Sequence, residues 1–233
     1  MKVTIIYGNN REGNTYNCVS VFKNQLREYN NIDYAEYFVP RDMPYFCSGC
    51  MNCICNGEDK CPHYKTMKPI IDDIMTSDGV ILASPVYVMN VSGSMKALLD
   101  HLAKMWMPHR PNIEIFQKVG IAISTAAGAG IKEANKTLTN TFKFMGFKRY
   151  YSLGCRAIDL ENRDIKTQKR IEKSAKRFYK ALLHRKELKP KLFTKMFFRI
   201  MCSMIKDYDD YGRFALDKKY WRENGWLDGK KPF

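Results

Sequence analysis

Val3-Thr4-Ile5-Ile6-Tyr7-Gly8-Asn9-Asn10-Arg11-Glu12-Gly13-Asn14-Thr15 is the stretch on which the fold turns. Its first five residues are apolar, β-branched or aromatic, and predict a buried strand. Gly8 to Asn14 is a Gly/Asn loop. Thr15 is placed to cap a helix whose apolar stripe is Val19, Phe22 and Leu26. A strand, a tight loop and a helix start make an anion site, because the free N–H groups of the first turn and the helix dipole both favour negative charge. Asn14, Thr15 and Arg11 add side-chain donors suited to a phosphate. Neither G-x-G-x-x-G nor G-x-x-x-x-G-K-[ST] is present, so this is not a dinucleotide or nucleoside-triphosphate fingerprint.

The same unit recurs along the chain. Ile32 to Phe38 predicts a second strand, Val80 to Ala83 a third, Val119 to Ser124 a fourth and Tyr150 to Gly154 a weaker fifth. Helical periodicity lies between them, over Thr66–Met75, Ser94–Met105 and Ile131–Met145, and over Asp164–His184 after the last. Short apolar strands that do not alternate are covered on both faces, so the prediction is an α/β doubly wound, five-stranded parallel sheet. Ligands of such sheets bind beyond the strand C-termini, at the switch point. Loops 8–14, 84–93 and 125–130 all leave strand C-termini and should converge on one crevice.

The chain has 233 residues, 45% of them hydrophobic, which is enough for a real core. The expected division is a domain over 1–185 and a C-terminal helical and aromatic extension over 186–233. No signal peptide is read at the start, and no apolar run reaches the ~18 residues of a membrane span. The expected location is cytoplasmic. Formal net charge is +15, concentrated after Arg149. Such a balance suits nucleic acid, an anionic surface or phosphorylated ligands. The basic residues are scattered over helices, and no RRM, KH or helix-turn-helix signature appears, so nucleic acid is not the expected partner. Leu192, Phe193, Met196, Phe197, Ile200, Met201, Met204 and Ile205 form an apolar stripe among Lys191, Lys195, Arg199 and Lys206. That stripe is expected to pack on the body or on a second subunit rather than on a membrane.

Eight cysteines in an intracellular chain point to metal or redox chemistry rather than structural disulfides. Cys47-x2-Cys50-x2-Cys53-x7-Cys61 is compact enough for its thiolates to converge on a cluster. Four thiolates also suit zinc, and a metal-free loop is a third reading. Cys55 is an alternative ligand. His63 could be a ligand but reads as a surface loop residue. Cys18, Cys155 and Cys202 fall within helix or strand patterns and read as core.

Gly8 to Thr15, Ser84-Pro85-Val86-Tyr87 with Ser92-Gly93-Ser94-Met95-Lys96, and the cysteine loop together resemble the flavodoxin-like NAD(P)H-dependent FMN reductases, in particular the iron–sulfur flavoprotein branch. The resemblance covers residues 1 to about 185. It implies FMN, with phosphate at Asn9, Arg11, Asn14 and Thr15 and the ring against Pro85, Val86, Tyr87 and Asn90, near Ala127 and Gly128. It implies NAD(P)H as electron donor and a small acceptor such as a quinone, a flavin or a nitro-compound. It also implies a possible [4Fe-4S] cluster on Cys47, Cys50, Cys53 and Cys61. Homo-oligomers, in which one subunit covers another's flavin, are common in the family. The alternative function is an electron carrier using FMN and the cluster with a ferredoxin-like partner. No acid–base residue is expected, because the cofactor carries the chemistry.

Overall fold

The computed structural model describes residues 1–162 and 164–233. In chain order the first half comprises β1 (Lys2–Tyr7), α1 (Asn14–Arg27), β2 (Asp33–Phe38), α2 (Asn52–Cys55), α3 (Tyr64–Thr76), β3 (Gly79–Tyr87), β4 (Asn90–Val91) and α4 (Gly93–His101). The second half comprises β5 (Val119–Ala126), α5 (Ile131–Met145), β6 (Arg149–Arg156), α6 (Ala157–Glu161), α7 (Ile165–Leu183), α8 (Leu192–Lys206) and α9 (Ala215–Glu223).

β1 shows why the opening residues form a central strand. Val3, Ile5 and Tyr7 project into one core and Ile6 into the other, as the period of two requires. Between them Thr4 Oγ1 meets Ser77 Oγ at 2.6 Å and donates to the Asp73 carbonyl at 2.9 Å, so its buried hydroxyl is satisfied. Five strands run parallel in the order β2-β1-β3-β5-β6, and the order reverses beside β1. This is the flavodoxin-like arrangement, and its switch point lies between β1 and β3. Helices α1 and α7 cover one face through Val19, Phe22, Ile171 and Phe178. Helices α3, α4 and α5 cover the other through Ile70, Leu98, Leu138 and Phe142.

The sheet departs from expectation at residues 84–93, read from the sequence as a loop. β3 runs on to Tyr87, and β4 turns back antiparallel beside it, with Tyr87 opposite Asn90. The two-residue connection is Val88-Met89, both in the left-handed region at φ 45° and 66°. A hairpin this tight needs positive φ at both central residues, which usually selects Asn and Gly. A β-branched valine there is strained, and the sequence carries no turn signal to announce it.

The extension has its own small core. Phe198, Met201 and Ile205 of α8 and Trp221 of α9 pack with Trp226 against Met107 and Phe116 of the body. Phe116 meets the Trp226 ring edge-on at 6.0 Å between centroids. The other face of α8, with Leu192, Met196 and Ile200, is exposed.

At the opposite end of the sheet from the crevice, Lys118 is buried and donates Nζ to the carbonyls of Met75 (2.6 Å) and Ser77 (2.5 Å). It caps the C-terminus of α3, where carbonyls lack helical partners. Burial pushes its ammonium down to about 8 from 10.5. The unfolded chain therefore holds this proton more tightly than the folded one between about pH 8 and 10.5. Stability from this group rises with pH across that window and is flat below it. The urea midpoint of the natural chain is expected to climb from pH 8 to 10 relative to that of Lys118→Met; parallel pH curves would refute the assignment.

Candidate functional site

Three loops converge at the C-terminal ends of β1, β3 and β5, and a serine pair locks the first two together. The Gly8 amide donates to the Ala83 carbonyl at 2.7 Å, and Ser92 Oγ donates to the Gly8 carbonyl. Ser92 also caps α4, accepting from the Met95 amide at 3.1 Å, and its own amide donates to Ser84 Oγ at 3.0 Å. A Cβ on Gly8 would stand 2.8 Å from Ser92 Oγ and 2.9 Å from Ser84 Oγ, so only glycine fits. The Ser92-Gly93-Ser94-Met95-Lys96 stretch is thus architectural, and Lys96 points away into an exposed ion pair with Asp100.

The crevice is an open cleft of about 190 Å³ lined by Asn9, Arg11, Asn14, Thr15, Pro85, Val86, Tyr87 and Ala127, together with Thr125, Ala126 and Ala157. The structure therefore brings together eight of the ten residues singled out from the sequence. Asn90 is not among them: its Oδ1 accepts from Thr137 Oγ1 at 2.8 Å and from the Val91 amide at 2.8 Å, tying the hairpin to α5. Gly128 lies beyond the lining, with open space where a Cβ would be. Thr125, Ala126 and Ala157 were missed. The first two end β5, so the rule that ligands meet strand C-termini could have found them. Ala157 starts α6, a helix with no sequence signal. A larger groove of about 560 Å³ runs between α1 and α7, off the strand ends and without this donor set.

Some donors of the cleft are free and others are engaged with protein partners. α1 begins at Asn14 with Gly13 as its N-cap, and no side chain caps the first turn. The expected capping role of Thr15 is corrected: Thr15 is inside that turn, and its Oγ1 meets Thr125 Oγ1 at 2.6 Å across the cleft floor. The first turn thus has no side-chain cap, and its residues Asn14 and Thr15 line the cleft, which favours an anion there. Arg11 folds back over Gly13 and is exposed, with no carboxylate partner among the described residues. Asn14 Nδ2 donates to Glu161 Oε1 at 2.8 Å. Asn9 Oδ1 is buried and has no hydrogen-bond partner. A buried acceptor left alone is costly, so this atom calls for a donor from a ligand.

The third loop owes its closeness to Gly130, which caps α5 at φ +91°. A Cβ there would lie 2.6 Å from Val86 Cγ1 and 2.9 Å from Met89 Cα. The β3–β4 hairpin rests directly on that glycine. Tyr87, Val88 and Met89 are exposed at the rim, an apolar edge beside the cleft.

The cysteine loop forms a second centre. Gly49 and Met51 at φ 68° and 61° turn the chain around Cys50, α2 carries Cys53 and Cys55, and Gly57 at φ 115° leads to Cys61. Cys47 and Cys50 are exposed, whereas Cys53, Cys55 and Cys61 are half-buried. The amide of Asn52 and the hydroxyl of Ser48 hold the Cys50 thiol below its ordinary range. Burial pushes the Cys53 thiol up, and the neighbouring sulfurs of Cys61, Cys47 and Cys50 add to this, with Lys104 opposing. The four sulfurs of the motif thus share one electrostatic neighbourhood. Among the described residues no three potential ligands converge as those of a single ion do. A cubane cluster binds one thiolate at each of four separated irons, so its ligands stand further apart than those of one zinc ion.

His63 is not the plain surface residue expected. Its ring stacks on Tyr45 at 4.6 Å and its Nδ1 lies 2.8 Å from His101 Nε2, so it fastens the exit of the cysteine loop to α4. Cys18 and Cys155 are core residues, in contact at 3.7 Å. No helix of the described residues is long and apolar enough to cross a membrane.

Comparison with known proteins agrees with this geometry. The sequence model of the family described as NADPH-dependent FMN reductase matches residues 1–151. An iron-sulfur flavoprotein of Archaeoglobus fulgidus is 26% identical over 97% of this chain and 100% of its own length. An iron-sulfur flavoprotein of Methanocaldococcus jannaschii is 31% identical over 61% of this chain and 71% of its own. Among solved structures, an FMN-dependent NADH-azoreductase from Bacillus anthracis in complex with FMN superposes with a TM-score of 0.61 at 13% identity, over 77% of this chain and 100% of that one.

Proposed function

The chain belongs to the NADPH-dependent FMN reductase family, and on that premise we propose that the cleft seats FMN with its phosphate on the first loop. As a member of that family the protein is an FMN-dependent oxidoreductase drawing electrons from NAD(P)H. Bound FMN supplies the chemistry, accepting hydride from a nicotinamide and passing electrons on. The chain's own residues bind and orient. The open first turn of α1 and the unpaired Arg11 meet the phosphate, with Asn14 and Thr15 turning from Glu161 and Thr125 toward it. Pro85, Val86 and Tyr87 form the wall for the ring, with Ala127 opposite. The observation that carries this reading is the buried, partnerless Asn9 Oδ1 beside the uncapped helix start: an acceptor for a ribityl hydroxyl next to donors for a phosphate.

The double variant Asn14→Ala with Thr15→Ala is expected to weaken FMN by roughly 1–3 kcal/mol, through lost charge-assisted hydrogen bonds. Titration of apo-protein by quenching of flavin fluorescence measures it, and an unchanged affinity would remove the phosphate from this loop.

A small acceptor fits the shallow, open cleft, and a quinone, a flavin or a nitro-compound can each reach its rim. The exposed Tyr87-Val88-Met89 edge and the exposed Phe46 support a homo-oligomer in which a second copy covers the cleft. The working compartment in this reading is the cytoplasm, whose reducing poise keeps the cysteine thiols available.

A second reading adds a [4Fe-4S] cluster on Cys47, Cys50, Cys53 and Cys61, and with it single-electron exchange with a ferredoxin-like protein. It is supported by the shared neighbourhood of the four sulfurs and by the flavoprotein relatives. An absorption spectrum of anaerobically purified protein separates the two. Flavin bands alone favour the reductase with a metal-free or zinc loop. A brown shoulder that bleaches with dithionite favours the cluster.

A further inference from the structure

The end of the chain reaches back to the cysteine loop. Asp217 on α9 is fully buried, yet it is a carboxylate. Its Oδ1 accepts from Arg110 Nη1, and its Oδ2 lies 2.8 Å from His109 Nδ1. Arg110 is itself nearly buried, and the same guanidinium donates Nη1 to the Ile54 carbonyl at 3.0 Å and Nη2 to the Cys53 carbonyl. One planar fork thus joins a carboxylate from the C-terminal extension to two consecutive peptide groups of α2, the helix that carries Cys53.

That junction does more than dock the extension. α9 is already held by Trp221 Nε1 donating to the His109 carbonyl at 2.6 Å, by the Tyr220 hydroxyl donating to the Pro111 carbonyl at 2.9 Å, and by the aromatic core around Phe198 and Trp226. The Asp217–Arg110 link ties α9 to the same segment of the body and, through the guanidinium, also reaches α2. α2 has four residues, too few to hold its shape unaided. The loop before it holds two positive-φ residues, Gly49 and Met51, and the loop after it Gly57. Arg110 would not be drawn under the helix without a counter-charge, since a buried guanidinium lacking its carboxylate is strongly disfavoured. On the flank of α2, Lys104 is also buried and pairs with Glu58 at 2.6 Å. The Arg110 amide donates to the Lys104 carbonyl at 3.0 Å, so both cations are set by one backbone segment.

We propose that Asp217 is a positioning residue for the iron–sulfur cluster: through Arg110 it clamps the backbone at Cys53–Ile54 and so sets the spacing of Cys47, Cys50, Cys53 and Cys61. This rests on the cluster reading given above. The C-terminal extension is on this account a part of the metal centre, although it contributes no ligand.

The test uses the full chain, purified without oxygen, as the natural protein and as Asp217→Ala, Asp217→Asn and Tyr220→Phe. Tyr220→Phe removes one tie of α9 to the body but leaves Arg110 alone. The readouts are iron and acid-labile sulfide per FMN, the rate of iron loss to a ferrous chelator, and the electron paramagnetic resonance spectrum of the reduced cluster. Both Asp217 variants are expected to lose iron at least tenfold faster with an altered spectrum, while Tyr220→Phe keeps the natural rate and spectrum. Natural rate and spectrum in Asp217→Ala would overturn the proposal, as would equal loss in Tyr220→Phe. A natural chain free of iron and sulfide overturns the cluster reading instead. The clamp is then read from alkylation of Cys53 by iodoacetamide: tenfold faster reaction in Asp217→Ala supports it, and an unchanged rate overturns it.

Discussion

Gly130→Ala is expected to strip the cleft of flavin. Two costs combine at this position. The φ of +91° lies where a side chain pays for its Cβ, about 1 kcal/mol. The added carbon would also stand 2.9 Å from Met89 Cα, a backbone atom that no rotamer change can move aside. The β3–β4 hairpin must retreat, carrying Val86 and Tyr87 off the wall of the cleft. Destabilisation of roughly 2–4 kcal/mol follows from overpacking plus backbone strain. FMN affinity should fall at least tenfold. Gly128→Ala is the matched control, two residues away in the same loop, with open space at its Cβ position. It should leave both stability and FMN binding nearly unchanged. Equal dissociation constants for the two variants, by fluorescence quenching, would show that the hairpin does not form the wall.

The second large effect is expected at Cys53→Ala. Of the four thiols in the motif, Cys53 is half-buried and bears the influence of the other three. Burial and like charges make its free thiolate unfavourable, so in an apo loop it keeps its proton. A cluster reverses that balance, because bound iron supplies the positive charge that burial withholds. Removing this ligand leaves three thiolates, two of them on exposed parts of the loop. If the loop holds the proposed [4Fe-4S] cluster, iron and sulfide should drop from about four each per chain to near background. FMN content should hold, because no residue of the loop lines the cleft proposed for FMN. Cys18→Ala, deep between α1 and β6, serves as the comparison and should leave the iron in place. Full iron retention in Cys53→Ala would move the ligand set elsewhere, with Cys55 the first to test.

These two sites differ in how far the sequence revealed them. Strands were legible because burial on both faces leaves uninterrupted apolar runs, as in Val3 to Tyr7. Convergence of three loops follows from the parallel sheet alone, while the predicted lining residues come from the chemistry of those loops and, for Asn9, Pro85 and Val86, from the family resemblance. Local chemistry misled at Thr15, where a hydroxyl beside a helix start suggested a cap. Gly13 holds that place, and the hydroxyl is turned instead toward Thr125, 110 residues away. The resemblance implies Asn90 at the ring, but an antiparallel turn through Val88 and Met89 reverses the chain, and its Oδ1 accepts from Thr137. Propensity argued against that turn, so no reading of propensity could have found it. The contacts of His63 with His101 and of Arg110 with Asp217 span 38 and 107 residues. Neither has a local pattern, because each is made by the packing of complete elements.

The tie between Arg110 and Asp217 also sets a schedule. The chain is made from its N-terminus, so the cysteine loop leaves the ribosome roughly 160 residues before the carboxylate that fastens Arg110 beneath it. At about 5–20 residues per second, that is an interval of about 8–30 s. During it the sheet can form and the cleft can fill, while α2 remains unfastened and its sulfurs stay within reach of a donor of iron and sulfide. Arrival of α9 then closes the door. On the cluster reading, such a centre is loaded early and sealed late, when α9 arrives.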